Sequence, residues 1–210
     1  MIRKSFLIIL AGLVSALHQL PAQAAGENYR RLAVELALIS GDSRILLKKS
    51  LSIGKRQWIE KRLAGSLNQM ELIARQYLSS SLTKPDHTLL EQIHALQYLK
   101  NDIEQLHQTV TRLSELYPVS FAYKLDTVLS PALEKKVQKN YQELCYGCHI
   151  GPTPEKSVVI GSLSNFARDM SSQEWLARLL GGLHGDVFTR YENPFSDSMI
   201  LLFHLYIKEM

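Results

Sequence analysis

The chain has 210 residues, 46% of them hydrophobic and 21% charged, a balance that supports a buried core and excludes collagen, wholesale disorder and a disulfide-dense scaffold. Its 24 Lys and Arg against 20 Asp and Glu leave a formal charge of +4, too small an excess to require nucleic acid. Two of those positive charges, Arg3 and Lys4, lie in a segment expected to be removed, which would lower the excess to +2.

Residues 1–25 read as a secretory signal peptide. Arg3 and Lys4 form a basic start, Ser5 to Leu17 is an uncharged run, and Ala22-Gln23-Ala24 is a small-x-small cleavage pattern. His18, Gln19 and Pro21 interrupt the run before it reaches the about 20 apolar residues of a spanning helix, although an uncleaved anchor is the alternative. Cleavage would leave an exported, periplasmic protein with no membrane span, because the apolar stretch from Met199 to Leu202 stops at His204.

From Glu27 to about Tyr117 the apolar periodicity is helical, and residues 26–118 read as a helical hairpin or bundle domain. A first helix from Asn28 to Ile39 is expected to end at Gly41-Asp42, with a shorter piece before Gly54. Ile59, Leu63, Leu67, Met70, Ile73 and Tyr77 then mark one face of a long helix. A Ser-rich loop from Ser79 to Pro85 leads to Asp86, a cap for the next helix, whose Leu96, Leu99, Ile103, Leu106, Val110, Leu113 and Tyr117 form a continuous a/d seam. Pro118 to Ser130 reads as a connector between two self-contained halves. Beyond it, Ser130 caps a helix with Pro131 in its first turn that runs to Leu144, and Ile150 to Arg168 reads as a loop. Ser171-Ser172-Gln173-Glu174 is a capping box for a helix ended by Gly181-Gly182, and Ser196-Asp197 opens the last one. The absence of alternating strands makes the fold class all-α.

Both cysteines of the chain fall in one motif, Cys145-Tyr146-Gly147-Cys148-His149. Two cysteines placed at random take this spacing in about 1% of arrangements, and a following His adds a factor of about 30. Two thiols so spaced can add across the two vinyl groups of a haem, and the adjacent imidazole then lies beneath the ring as an iron ligand. A zinc site would want further Cys or His ligands, a thioredoxin-like pair would want a βαβ context, and a structural disulfide would leave His149 idle. The motif therefore predicts one covalent haem c on Cys145 and Cys148, with His149 proximal.

The flanks resemble class I cytochromes c over about residues 130–210. Val137-Gln138-Lys139-Asn140-Tyr141-Gln142-Glu143-Leu144 is similar to the helix that leads into the family's haem motif, and Phe195-Ser196-Asp197-Ser198-Met199-Ile200 through Tyr206-Ile207-Lys208 is similar to its closing helix. The resemblance implies that Pro152 offers its carbonyl to the proximal imidazole, and that Lys135, Lys136 and Lys139 flank the haem edge where family members dock partners. The family's Met-Pro ligand is missing: Asp186 to Pro194 holds no Met, and Asn193 precedes the Pro. His184, in a Gly-rich loop, is the first substitute as distal ligand, then Met170 or Met199; an open sixth site near Tyr191 or Asn193 is the remaining possibility.

The expected function is one-electron transfer by an exported carrier, not an enzyme in itself, to a redox partner protein that could be acidic. The helical half would serve as a docking module. The alternative is a haem-based binder or sensor of a small gas with an open sixth site; peroxidase-like catalysis lacks a distal acid–base pair. Six cations against one acid between Lys48 and Arg62 suit an acidic partner or anionic lipid head groups, although such a run is more often only a solvated helix face. Trp175 would pack on the haem, fill the core, or do both.

Overall fold

The structure is a computed structural model that describes residues 26–81, 87–121, 129–149, 162–181 and 195–210, apart from the side chains of His87 and Cys148. The described residues are helical, with no strand among them. In chain order the helices are α1 (Gly26–Leu46), α2 (Ile53–Ser80), α3 (His87–Tyr98), α4 (Ile103–Leu116), α5 (Pro131–Tyr141), α6 (Leu163–Asp169), α7 (Ser172–Leu180) and α8 (Asp197–Glu209). No helix among the described residues is long and apolar enough to cross a membrane.

Helix starts follow local chemistry. The Ser52, Ser130, Ser171 and Ser196 hydroxyls each accept a backbone N–H three residues on, opening α2, α5, α7 and α8. The box at Ser171 is only half made. Its hydroxyl receives Glu174 N at 3.1 Å, but the Glu174 carboxylate turns away to Arg44 and Arg178.

Three expectations are corrected. α1 does not stop at Gly41-Asp42 but continues to Leu46. A Cβ on Gly41 would lie 2.3 Å from Cδ of Glu174, so this glycine admits another helix rather than turning the chain. The seam from Leu96 to Tyr117 is not one helix: Leu99–Asn101 forms a 3₁₀ turn, and the Asp102 carboxylate accepts Gln105 N at 3.0 Å to open α4. A local cap thus outweighs helix continuation, while Leu96, Leu106, Val110 and Leu113 still face inward. Finally, α6 occupies part of the expected 150–168 loop; Leu163 and Ala167, one turn apart, are buried there.

α1 is the shared wall of the molecule. Its Leu32, Leu36, Ile39 and Leu46 join the α2, α3 and α4 residues of one core, each fully buried Leu or Ile contributing about 1.5–3 kcal/mol of transfer free energy. Its Ala33, Val34 and Ala37 form a second core with Val119, Leu176, Ala177, Leu180 and Ile200. The small residues Ala33, Ala37 and Gly41 lie four apart, letting α7 approach closely. Gln173 clamps the Val119 backbone, accepting its N–H at 2.6 Å and donating to its carbonyl at 3.3 Å. Arg30 grips Asp197 with two nitrogens at 2.9 and 2.7 Å. Apolar contacts and hydrogen bonds thus run between the segments on either side of the connector from Pro118 to Ser130. Residues 122–128 of it lie outside the described residues.

Charge is buried at the same junction. The Asp42 and Glu174 side chains are 2% and 5% exposed, and Arg178 lies between them at 2.8 Å from each. Arg62 also pairs with Asp42, and Arg44 with Glu174 at 3.0 Å. Burial opposes the Arg178 charge, but the two carboxylates outweigh it and raise its pKa.

Candidate functional site

The Cys-x-x-Cys-His segment continues directly from α5. After Tyr141 the backbone widens into a π-helical turn, Gln142–Tyr146, and closes with a helical turn, Gly147–His149. A π turn shifts the register of the residues after it and often occurs where a helix must aim side chains at a site. Cys145 lies in the π turn and Cys148 in the closing one, three residues on and so about one helical turn apart.

The thiol of Cys145 is half-buried against a third core, formed by Val137 and Tyr141 of α5, Leu163 and Ala167 of α6, Trp175 of α7, and Leu202, Phe203 and Ile207 of α8. His149 is 7% exposed. Tyr141 meets Tyr206 edge to face with ring centroids 6.0 Å apart, and Phe195 meets Phe203 in the same way at 5.2 Å. Burial, and next the neighbouring Cys145, raises the pKa of the Tyr141 hydroxyl. Burial, helped by Lys208, pushes the His204 imidazole down to about 4, so it is neutral at physiological pH. The Trp175 indole N–H is buried with no hydrogen-bond partner among the described residues.

The rim of this core is charged and wet on one side. Lys135, Lys136 and Lys139 are exposed on α5, with Lys139 at 3.8 Å from Glu143, and Leu144 and Tyr146 are exposed on either side of Cys145.

Of the residues singled out in the sequence, Cys145 and Trp175 thus meet at the third core, the lysines lie on α5, which contributes to that core, and buried His149 follows one turn after Cys145. Met199 is partly buried in the same core, its sulfur accepting from Asn140 Nδ2 at 3.5 Å, and Met170 packs at its edge. Pro152, His184, Tyr191 and Asn193 lie outside the described residues. Among the described residues no three His, Cys, Asp or Glu side chains converge as a metal cluster. Periodicity did not reveal that Tyr141, Leu163 and Phe203 share the core against which Cys145 packs; they come from three helices whose angles the sequence does not state. No family model, curated protein or solved structure matches the chain.

Proposed function

We propose that this chain is an exported c-type cytochrome, with a class I cytochrome c-like domain over about residues 130–210, that carries single electrons as a partner of a larger redox system. The observation that carries the reading is the Cys145-Tyr146-Gly147-Cys148-His149 motif, which uses every cysteine of the chain. The surroundings fit a flat apolar group with a polar edge: a half-buried thiol beside an aromatic and aliphatic core, a buried imidazole, and the indole N–H of Trp175, which has no partner among the described residues. Cys145 and Cys148 would hold a single haem c through thioethers, and His149 would be its proximal ligand. When bound, the haem supplies an Fe(III)/Fe(II) couple whose potential depends on axial ligands and burial.

The chain's own residues then have separable tasks. Burial of His149 keeps water from the imidazole. Trp175, Phe203 and Tyr141 provide a low-dielectric wall. The exposed lysines of α5 attract a partner with acidic residues, raising the encounter rate at low salt. His184 is the proposed distal ligand. The periplasm is the proposed compartment, and the helices between Gly26 and Tyr117 are proposed as the docking module.

The test is expression with cytochrome maturation machinery. Acid–acetone extraction should leave the colour on the polypeptide, with a mass raised by one haem, and Cys145→Ala should lose a thioether or the holoprotein. Release of all colour into the solvent overturns the reading. Carbon monoxide separates carrier from gas binder: a low-spin ferrous spectrum that resists the gas supports the carrier, and rapid uptake by a high-spin ferrous protein overturns it in favour of the binder.

A further inference from the structure

The connection between α1 and α2 collects charge and exposed apolar surface that the proposed redox role does not use. Leu47, Ile53 and Trp58 are 42%, 78% and 58% exposed. Around them Lys48, Lys49, Lys55 and Lys61 are exposed, and no ion pair holds any of them among the described residues. The two arginines of the run are already engaged. Arg56 donates to the carbonyls of Leu46 and Lys48 at 3.2 and 3.3 Å, and Arg62 pairs with buried Asp42 while lying 4.2 Å over the Trp58 ring. The one acid of the segment, Glu60, lies 4.0 Å from Arg56.

The corner is also built to hold its shape. Ser52 caps α2, and the Arg56 guanidinium ties the turn's carbonyls to that helix. On α2, Ile53, Gln57, Trp58 and Lys61 fall on one solvent-facing arc, opposite buried Ile59 and Leu63.

We propose that this corner is a docking surface for a membrane carrying anionic lipid, with Ile53, Trp58 and Leu47 entering the head-group boundary and Lys48, Lys49, Lys55 and Lys61 facing the lipid phosphates. Charge complementarity selects the sign of the surface. The apolar tips select a membrane over a soluble acidic protein, because long-range steering needs only the lysines, whereas protruding Ile and Trp side chains gain free energy when they leave water at an interface. Each lysine near such a surface is worth about five-fold in partitioning. The inference is independent of the haem.

The test is co-sedimentation of the purified chain with vesicles of phosphatidylcholine alone or mixed with phosphatidylglycerol, all variants sharing one N-terminus. Wild type should bind the mixed vesicles in preference to the neutral ones. Lys48→Gln/Lys49→Gln should weaken this roughly 25-fold, by the same about five-fold per charge. Ile53→Ser/Trp58→Ser, with its charge unchanged and its helicity confirmed by circular dichroism, should weaken it at least about ten-fold. Equal binding to neutral and anionic vesicles overturns the proposal. So does unimpaired binding by Ile53→Ser/Trp58→Ser, and retention of that variant on immobilised poly-aspartate would assign the corner to an acidic protein instead.

Discussion

Replacing Gly41 by Ala sets two local effects against each other, and the structure decides the sign. In an open helix the change would stabilise by about 1 kcal/mol, because glycine is the poorer helix former. Here the new Cβ would fall 2.3 Å from both Cδ and Oε1 of Glu174, so that side chain must move by about 1 Å or more to restore ordinary van der Waals contact. Glu174 is not a free end: Arg44 holds it at 3.0 Å, and Arg178 at 2.8 and 3.1 Å. Losing two such charge-assisted bonds costs about 4 kcal/mol, which leaves a net destabilisation of about 3 kcal/mol. For a chain of this size that lowers Tm by roughly 6–12 °C, read by circular dichroism. In a Glu174→Ala background the obstacle is gone, and Gly41→Ala should then stabilise, giving a large coupling in the double-mutant cycle. A Gly41→Ala protein that melts at or above the wild-type temperature would refute the close packing of α1 on α7.

Arg178→Met leaves Asp42 with Arg62 and Glu174 with Arg44 as their cationic partners among the described residues, and should cost about 3 kcal/mol in urea unfolding; adding Asp42→Asn and Glu174→Gln should recover part of it. His204 is held at about 4 against its ordinary 6.5, so the unfolded chain takes up the proton first. The stability contribution is complete above about pH 6.5 and is lost as pH falls towards 4; His204→Phe should flatten the slope of the urea midpoint between pH 7 and 5. A fragment from Ser130 to Met210 uncovers Leu176, Ala177, Leu180 and Ile200 and takes Arg44 from Glu174 and Asp42 from Arg178, so it should stay unfolded alone and regain helix, seen by circular dichroism, when mixed with residues 26–121.

Much of this molecule is legible one segment at a time. The caps at Ser130, Ser171 and Ser196, the stripe from Ile59 to Tyr77 and the inward seam around Leu106, Val110 and Leu113 depend on neighbours within a turn or two, and they stand in the structure where the residue pattern puts them. The spacing of Cys145, Cys148 and His149 is likewise a property of the chain itself, and it alone raises the haem reading. Tertiary structure decided the rest. Gly41-Asp42 has the composition of a turn, yet it continues a helix because α7 needs the missing Cβ and Arg178 needs the carboxylate. Ser171 to Glu174 has the composition of a capping box, yet Glu174 leaves its own backbone for Arg44 and Arg178, more than a hundred residues of chain separating it from the first. α1 has an apolar row on each of two sides, one packed on α2 to α4 and one on residues beyond Pro118, and only a folded chain can fill both. Local hydrogen bonds and periodicity are short-range quantities that a sequence displays directly, whereas the partners of a buried charge, a missing methyl or a second apolar face come from distant segments and exist only once the helices have packed.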